Sequence, residues 1–267
     1  MVGKTKVSTM SPRVSIITIN YNNANGLKKT IQSVIEQSYS DFEFIVIDGA
    51  SKDGSTDILI RYKDNIQIIL SEEDTGIYNA MNKGIIKSNG TYLLFLNSGD
   101  VLTSPTALAD FVNHPNFKGD IIYGDYKFEK GQKIYPDHLP PNYFMKTSLP
   151  HQSTFFKRSV FDTMGLYDET YKMGADRAFF IKCFENKEIT FQHIEYFLTL
   201  FDLSGVSNDP QLVAKKKAED ERMFYEFYGS KYDEYKEAVR LEAKRKRAER
   251  NSLKGILKRI VNRIKKF

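Results

Sequence analysis

Cysteine, tryptophan and long apolar runs are what this 267-residue chain has least of. Its one cysteine, Cys183, excludes an internal disulfide framework and a cysteine-built zinc site. A reducing cytoplasm fits that usage. No run approaches about 18 apolar residues, so nothing reads as a membrane span. Met1 to Arg13 carries lysines but no apolar core, and it does not read as a signal peptide. The chain has no G-x-G-x-x-G after its first strand and no G-x-x-x-x-G-K-S/T anywhere. A dinucleotide oxidoreductase and a P-loop enzyme are thereby disfavoured.

What is present is ordinary globular composition, 41% hydrophobic and 27% charged. The net charge of +5 hides an asymmetry. Arg240 to Phe267 holds twelve Lys/Arg against two Asp/Glu, a net of +10, so the first 239 residues carry −5. A mildly acidic body with a strongly basic tail points the tail toward a polyanionic surface.

The chain is organised around residues 91–100. The apolar run Tyr92 to Leu96 is too short for an ordinary helix and reads as a buried strand, stopping at the polar turn Asn97-Ser98-Gly99-Asp100. Open α/β sheets place ligands at the carboxyl ends of buried strands. Asp100 could there hold a divalent cation, and the cation a diphosphate. The alternative is a plain tight turn, with Ser104 capping the next helix.

Three more strands precede it: Val14–Ile19, Phe42–Ile47 and Ile66–Leu70. Helices read between them, one with Leu27, Ile31, Val34 and Ile35 on a face, another with Ile77, Met81, Ile85 and Ile86. Alternating strands and helices predict parallel βαβ units in a doubly wound sheet, with the polar loops along one edge. Beyond Asp100 the pattern predicts a helix over 104–113 and a strand at 121–125 with a β-ribbon to Tyr135. Next come a four-proline loop over the site at 136–150, a strand at 151–156 and a helix at 157–164. A helix over 177–185 and a strand over 189–201 follow, and then helix from Pro210 with a break at Gly229.

Taken together these loops resemble family-2 glycosyltransferases, inverting enzymes of the GT-A fold that use nucleotide sugars. The resemblance runs from about Val14 to Ser207. Thr18, Asn20, Tyr21 and Asn22 look like the family's opening nucleotide loop. Asp48-Gly49-Ala50-Ser51-Lys52-Asp53-Gly54-Ser55 is similar to its V-D-D-G-S-x-D-G-T element. Asp74 to Gly84 looks like the segment closing over the nucleotide. Asn97 to Asp100 stands where the family has its D-x-D-type turn, and Gly174-Ala175-Asp176 where the catalytic base lies. His151-Gln152 and Gly205-Val206-Ser207 resemble the colanic-acid-type branch that builds bacterial surface polysaccharides. Two departures stand out: Asp48-Gly49 offers one carboxylate where many members have two, and Asn97 to Asp100 also offers one.

The resemblance implies a role for each residue. Asp176 is the expected base, Asp100 the ligand of Mn2+ or Mg2+, and Asp48 the partner of the nucleobase. Thr18, Asn20 and Tyr21 surround the base, Asn97 and Ser98 belong to the nucleotide site, and Lys83 helps with phosphate charge. His151 and Gln152 line the acceptor side. Other readings stay open: Asp176 as a helix cap, Lys83 as a solvated charge, His151 as an ordinary loop residue.

Leu253, Ile256, Leu257, Ile260, Val261, Ile264 and Phe267 make one apolar stripe among lysines and arginines. Such a basic amphipathic helix suits an anionic membrane interface; docking on the catalytic domain is the alternative, and no nucleic-acid module is recognisable. The expected organisation is a disordered segment 1–12, a GT-A domain 13–208 and a helical extension 209–267. The expected protein is a cytoplasmic transferase, peripheral on the inner face of the cell membrane, in surface-polysaccharide synthesis. It passes a sugar, UDP-linked in the commonest case, to a lipid-linked or oligosaccharide acceptor. A non-catalytic nucleotide-sugar module and a sugar-1-phosphate nucleotidyltransferase are the rivals.

Overall fold

A computed structural model describes residues 13–202 and 213–252. The stripe beyond Leu253, residues 205–207 and the expected boundary at 208 lie outside those residues. In chain order the first half runs β1 (Val14–Asn20), α1 (Ala24–Ile35), β2 (Phe42–Asp48), α2 (Ser55–Tyr62), β3 (Ile68–Ser71), α3 (Ile77–Lys87) and β4 (Tyr92–Phe95). The four strands pair in parallel in the order β3-β2-β1-β4. β1 is buried along its whole length, as a β-branched strand covered on both faces must be.

The second half makes the sheet mixed. It contains β5 (Val101–Leu102), α4 (Ala107–Val112), β6 (Ile121–Phe128), β7 (Gly131–Lys133), β8 (Thr154–Lys157), α5 (Arg158–Met164), α6 (Ala175–Glu185) and β9 (Phe191–Leu200). β8 runs antiparallel beside β4, β6 antiparallel beside β8, and β9 parallel to β6, with β5 at the far edge. The expected parallel, doubly wound character therefore holds for four strands and ends at β8. Ser104 does not cap α4: Thr106 occupies the cap position, and the Ser104 hydroxyl lies against that of Thr106.

Two apolar layers cover the sheet. Val14, Phe44 and Leu94 face α1, α2 and α4, while Ile17, Ile45 and Phe95 face α3 and α6. Each fully buried Leu, Ile or Phe is worth about 1.5–3 kcal/mol. On α3 the buried stripe is Tyr78, Met81 and Ile85, and Ile77 and Ile86 are exposed instead of buried. Spacing by three and four residues follows the helix face, whereas Ile86 sits a further 100° round. Gly84 lets α3 approach closely, since a Cβ there would fall 2.4 Å from Ile17 Cγ2.

The extension comprises α7 (Val213–Tyr228) and α8 (Tyr232–Asn251), joined by a 3-10 turn at Gly229. Met223, Phe224, Tyr228 and Tyr232 enter the same apolar layer as Ile17 and Phe95. The extension is thus tied to the core that carries the site. The proline-rich 136–150 segment is likewise anchored, Phe144 being stacked on Phe180 with ring centroids 5.9 Å apart.

Candidate active site

Two strand registers assemble the site from distant stretches of sequence. β4 and β8 pair with Leu94 opposite Phe155. Continued past both strand ends, that register sets Asn97 against the 3-10 turn His151–Ser153. β5 and β9 pair with Val101 opposite Leu200, so the same continuation sets Gly99 and Asp100 against Asp202. The polar turn after β4 meets one new group on each side.

On the first side, Asn97 Nδ2 donates to His151 Nε2 at 3.1 Å. That leaves the Nδ1 proton facing Asp176 Oδ2, 3.6 Å away. The other Asp176 oxygen accepts from the Tyr78 hydroxyl at 2.8 Å. Asp176 is in the first turn of α6, where the helix dipole favours a negative charge, and the cap position is taken by Gly174. Burial alone would raise its carboxyl, but His151 and Tyr78 outweigh burial and hold it below the ordinary carboxylate range. With its side chain 17% exposed, Asp176 is ionised, oriented and open to a ligand.

On the second side, Asp100 is buried and accepts from the Asp202 backbone N–H at 2.9 Å. Gly99, at φ +112°, brings the turn so close that a Cβ would lie 2.5 Å from Asp202 Oδ2. Burial first, and the neighbouring Asp202 charge, push the Asp100 carboxyl up to about 7 against the lowering effects of His151 and backbone donors. In the same turn Asn97 Oδ1 and Ser98 Oγ are buried without a hydrogen-bond partner among the described residues.

Two carboxylates and unpartnered oxygens make an oxygen-only donor set, which Mg2+ and Mn2+ prefer. The residues fit such an ion. Among the described residues no three His, Cys, Asp or Glu side chains form a complete metal site, so water and substrate phosphate would fill the remaining positions.

The loops after β1 and β2 are braced internally. Thr18 Oγ1 donates to the Leu96 carbonyl at 2.7 Å, clasping β1 to β4. Asp48, wholly buried, accepts from Asn20 Nδ2 (2.7 Å), from Ser51 Oγ (2.6 Å) and N (3.0 Å), and from Ser71 Oγ (2.7 Å). Burial raises its carboxyl, but these donors together hold it low. The Thr18 hydroxyl, the Asn20 amide N–H and the Asp48 carboxylate are therefore used inside the protein, and the aromatic face that this loop pair turns to solvent is Tyr21, 68% exposed. Lys83 is engaged away from the cluster, paired with Glu72 at 2.8 Å and donating to the Glu73 carbonyl. Gln152, beside His151, is buried. Tyr78 and Asp202 carry no site role in the sequence reading, although Tyr78 stands in the Asp74–Gly84 segment that the resemblance singled out.

Comparison with known proteins agrees with this architecture. The family model for glycosyl transferase family 2 matches residues 15–180. A PGL/p-HBAD biosynthesis glycosyltransferase of Mycobacterium tuberculosis is 32% identical over 210 residues, covering 74% of this chain and 80% of the relative. An uncharacterized glycosyltransferase of Rickettsia prowazekii is 33% identical over 204 residues, 70% of this chain and 64% of that protein. Among solved structures, S. aureus TarS 1-349 in complex with UDP-GlcNAc superposes with a TM-score of 0.62 at 16% identity, over 83% of this chain and 73% of that one. The same TarS fragment in complex with UDP gives 0.61, this chain spanning 65% of it. The mannosyltransferase PcManGT from Pyrobaculum calidifontis, in complex with GDP-Man and Mn2+, gives 0.57 over 75% of this chain and 59% of that one. At such identities the likeness is one of fold, the GT-A type.

Proposed function

The chain belongs to glycosyl transferase family 2, and from that premise we propose that it moves one sugar from a nucleotide sugar to an acceptor hydroxyl with inversion at the anomeric carbon. The observation that carries this reading is the Asp176 carboxylate, held between Tyr78 and His151 and joined through His151 and Asn97 to the turn of Asp100. In a single displacement the acceptor oxygen bonds to the anomeric carbon while the bond to the diphosphate oxygen breaks. The diphosphate leaves with that electron pair, and the acceptor proton passes to Asp176. Tyr78 and His151 orient the carboxylate so that a free oxygen lone pair faces the acceptor. A divalent cation held by Asp100, Asp202 and the Asn97 oxygen would neutralise the leaving diphosphate. Asn20, Ser98 and Thr18 fix the loops that border the nucleotide. His151 and Gln152 border the acceptor, which we take to be lipid-linked or an oligosaccharide in surface-polysaccharide synthesis. Among the described residues no helix is long and apolar enough to cross a membrane, and membrane attachment is assigned to the basic stripe from Leu253.

The test is Asp176→Asn, after a thermal-shift screen of nucleotide sugars with Mn2+ has identified a donor. General-base assistance is worth about 10² to 10⁴-fold. The mutant should keep near-native stability and donor affinity while transfer falls by at least about a hundredfold. Transfer within a few-fold of wild type would remove Asp176 from the mechanism. Donor binding without transfer or hydrolysis by the wild type would leave only a nucleotide-sugar binding module.

A further inference from the structure

The loops leaving β1, β2 and β3 converge on one point that the reading above leaves unused. At the carboxyl end of β2 stands Gly49, where a Cβ would lie 2.4 Å from Asp74 Oδ2 and 3.1 Å from Tyr21 Cδ2. The missing side chain at position 49 is what admits the Asp74 carboxylate beside the Tyr21 ring. Asp74 uses one oxygen on the Gly76 backbone N–H, at 2.9 Å, an Asx-type bond that opens α3. Among the described residues no donor meets the other oxygen, the one aimed at Gly49. Asp48, one residue earlier, has both oxygens filled by protein donors and is wholly buried. Of the two carboxylates at this corner, Asp74 is, among the described residues, the one with an acceptor to offer.

The surroundings are rigid. Asn22 donates its backbone N–H to Ser51 Oγ at 2.8 Å and accepts from the Lys52 N–H at 2.8 Å, bracing the loop of Tyr21 against that of Gly49. Asn22 and Ala50 both hold left-handed backbone, at φ 49° and 58°, so these loops are held in defined, locally unfavourable conformations. An exposed aromatic face stacks a planar heterocycle, and a carboxylate oxygen at the ring edge accepts only from N–H. Resting on the reading of this site as one for a nucleotide sugar, we propose that Asp74 is the residue that selects the nucleobase. It accepts the ring N–H of uracil or guanine while the base lies on Tyr21. Cytosine and adenine present a lone pair at that ring nitrogen, and the carboxylate repels it.

Titration calorimetry with the full chain and Mn2+, using UDP, GDP, CDP and ADP, tests the assignment. Wild type should bind UDP or GDP at least about tenfold more tightly than CDP and ADP, since hydrogen bonds to charged groups span roughly one to two decades. Asp74→Asn keeps an oxygen for Gly76 and turns an amide N–H toward the base. Its melting temperature should stay near wild type while the preferred nucleotide weakens about tenfold to a hundredfold and CDP does not. Gly49→Ala should cause the same loss by displacing the carboxylate, and it decides the matter if Asp74→Asn does not fold. An unchanged order of affinities in the foldable variants, or a wild type that prefers CDP or ADP, overturns the proposal alone. A wild type that binds no nucleotide overturns the functional reading, and this proposal with it.

Discussion

Asp100 combines burial with a charge that the folded chain resists. Its carboxyl is pushed up to about 7, first by burial and also by the neighbouring Asp202 charge. Between the ordinary carboxylate range near 4 and about 7, the folded chain therefore holds a proton that the unfolded chain has released. Stability falls as pH rises through that window, and above it the ionised group costs on the order of a few kcal/mol. Asp100→Asn removes the charge with little change of shape. In the absence of divalent cations the mutant should be more stable than wild type at pH 8 and nearly equal at about pH 3, below the unfolded carboxyl's range, as read from urea midpoints. A difference that does not grow with pH would show that Asp100 is not a buried, destabilising acid. Such a cost is consistent with the cation-binding role proposed for Asp100. Asp100, Asp176 and His151 were legible because each stands in a recognisable local motif. Asp202 and Tyr78 were not, because their meaning lies in partners about a hundred residues away. The Asp48 pattern was visible, but its hydrogen-bond saturation depends on Ser71, brought in only by the pairing of β2 and β3.

At the scale of elements, α7 acts on the loop that delivers Asp176. Glu219 accepts the consecutive backbone N–H groups of Lys172 and Met173, at 2.7 and 2.9 Å. Arg222 lies over the Tyr171 ring at 4.3 Å, and Arg177, next to Asp176, pairs with Asp220 at 3.0 Å. A loop bound at two successive amides has little freedom to move the side chain three residues on. Glu219→Ala removes both acceptors and should lower transfer about tenfold, with donor affinity unchanged and a stability loss of about 1–3 kcal/mol. Glu219→Gln retains an acceptor oxygen and should recover most of the rate. Equal rates in Ala and Gln variants would reduce Glu219 to a surface contact. The helices themselves were readable from composition and the break at Gly229. Their docking was not, since Met223, Phe224, Tyr228 and Tyr232 form a face whose partner is a loop and helix elsewhere in the chain. The 136–150 segment is the loop that its prolines predict, but its anchorage, Phe144 stacked on Phe180 of α6, was not readable from them.

Over the whole molecule, the parallel half was legible because βαβ units leave a local periodic record and their handedness is nearly fixed. The turn to a mixed sheet at β8 was not, since the direction of a short strand joined by a long connection is set by packing. Charge is the whole-molecule property with most bearing on where the protein acts. The first 239 residues carry −5 and residues 240–267 carry +10. In α8, Lys244 to Glu249 is exposed, and Lys146 ties the helix to the body through Glu242 at 2.6 Å. The cations of α8 are thus exposed on a helix that is tied to the body at its middle. Beyond Ser252 the sequence adds six more cations and the seven-residue apolar stripe. Each Lys or Arg near an anionic lipid surface is worth about 1 kcal/mol, and exposed charges are screened over about 10 Å at 0.1 M salt. Ending the chain after Ser252 should leave a folded protein with unaltered transfer to a soluble acceptor, because every site residue lies before Leu203. The full chain should sediment with vesicles containing phosphatidylserine and leave them in part at high salt, and the shortened chain should stay in the supernatant. Equal sedimentation of the two chains would reject membrane attachment through this stripe. A shortened chain that fails to fold would mean that the stripe is docked on the catalytic body, with its apolar face turned away from lipid.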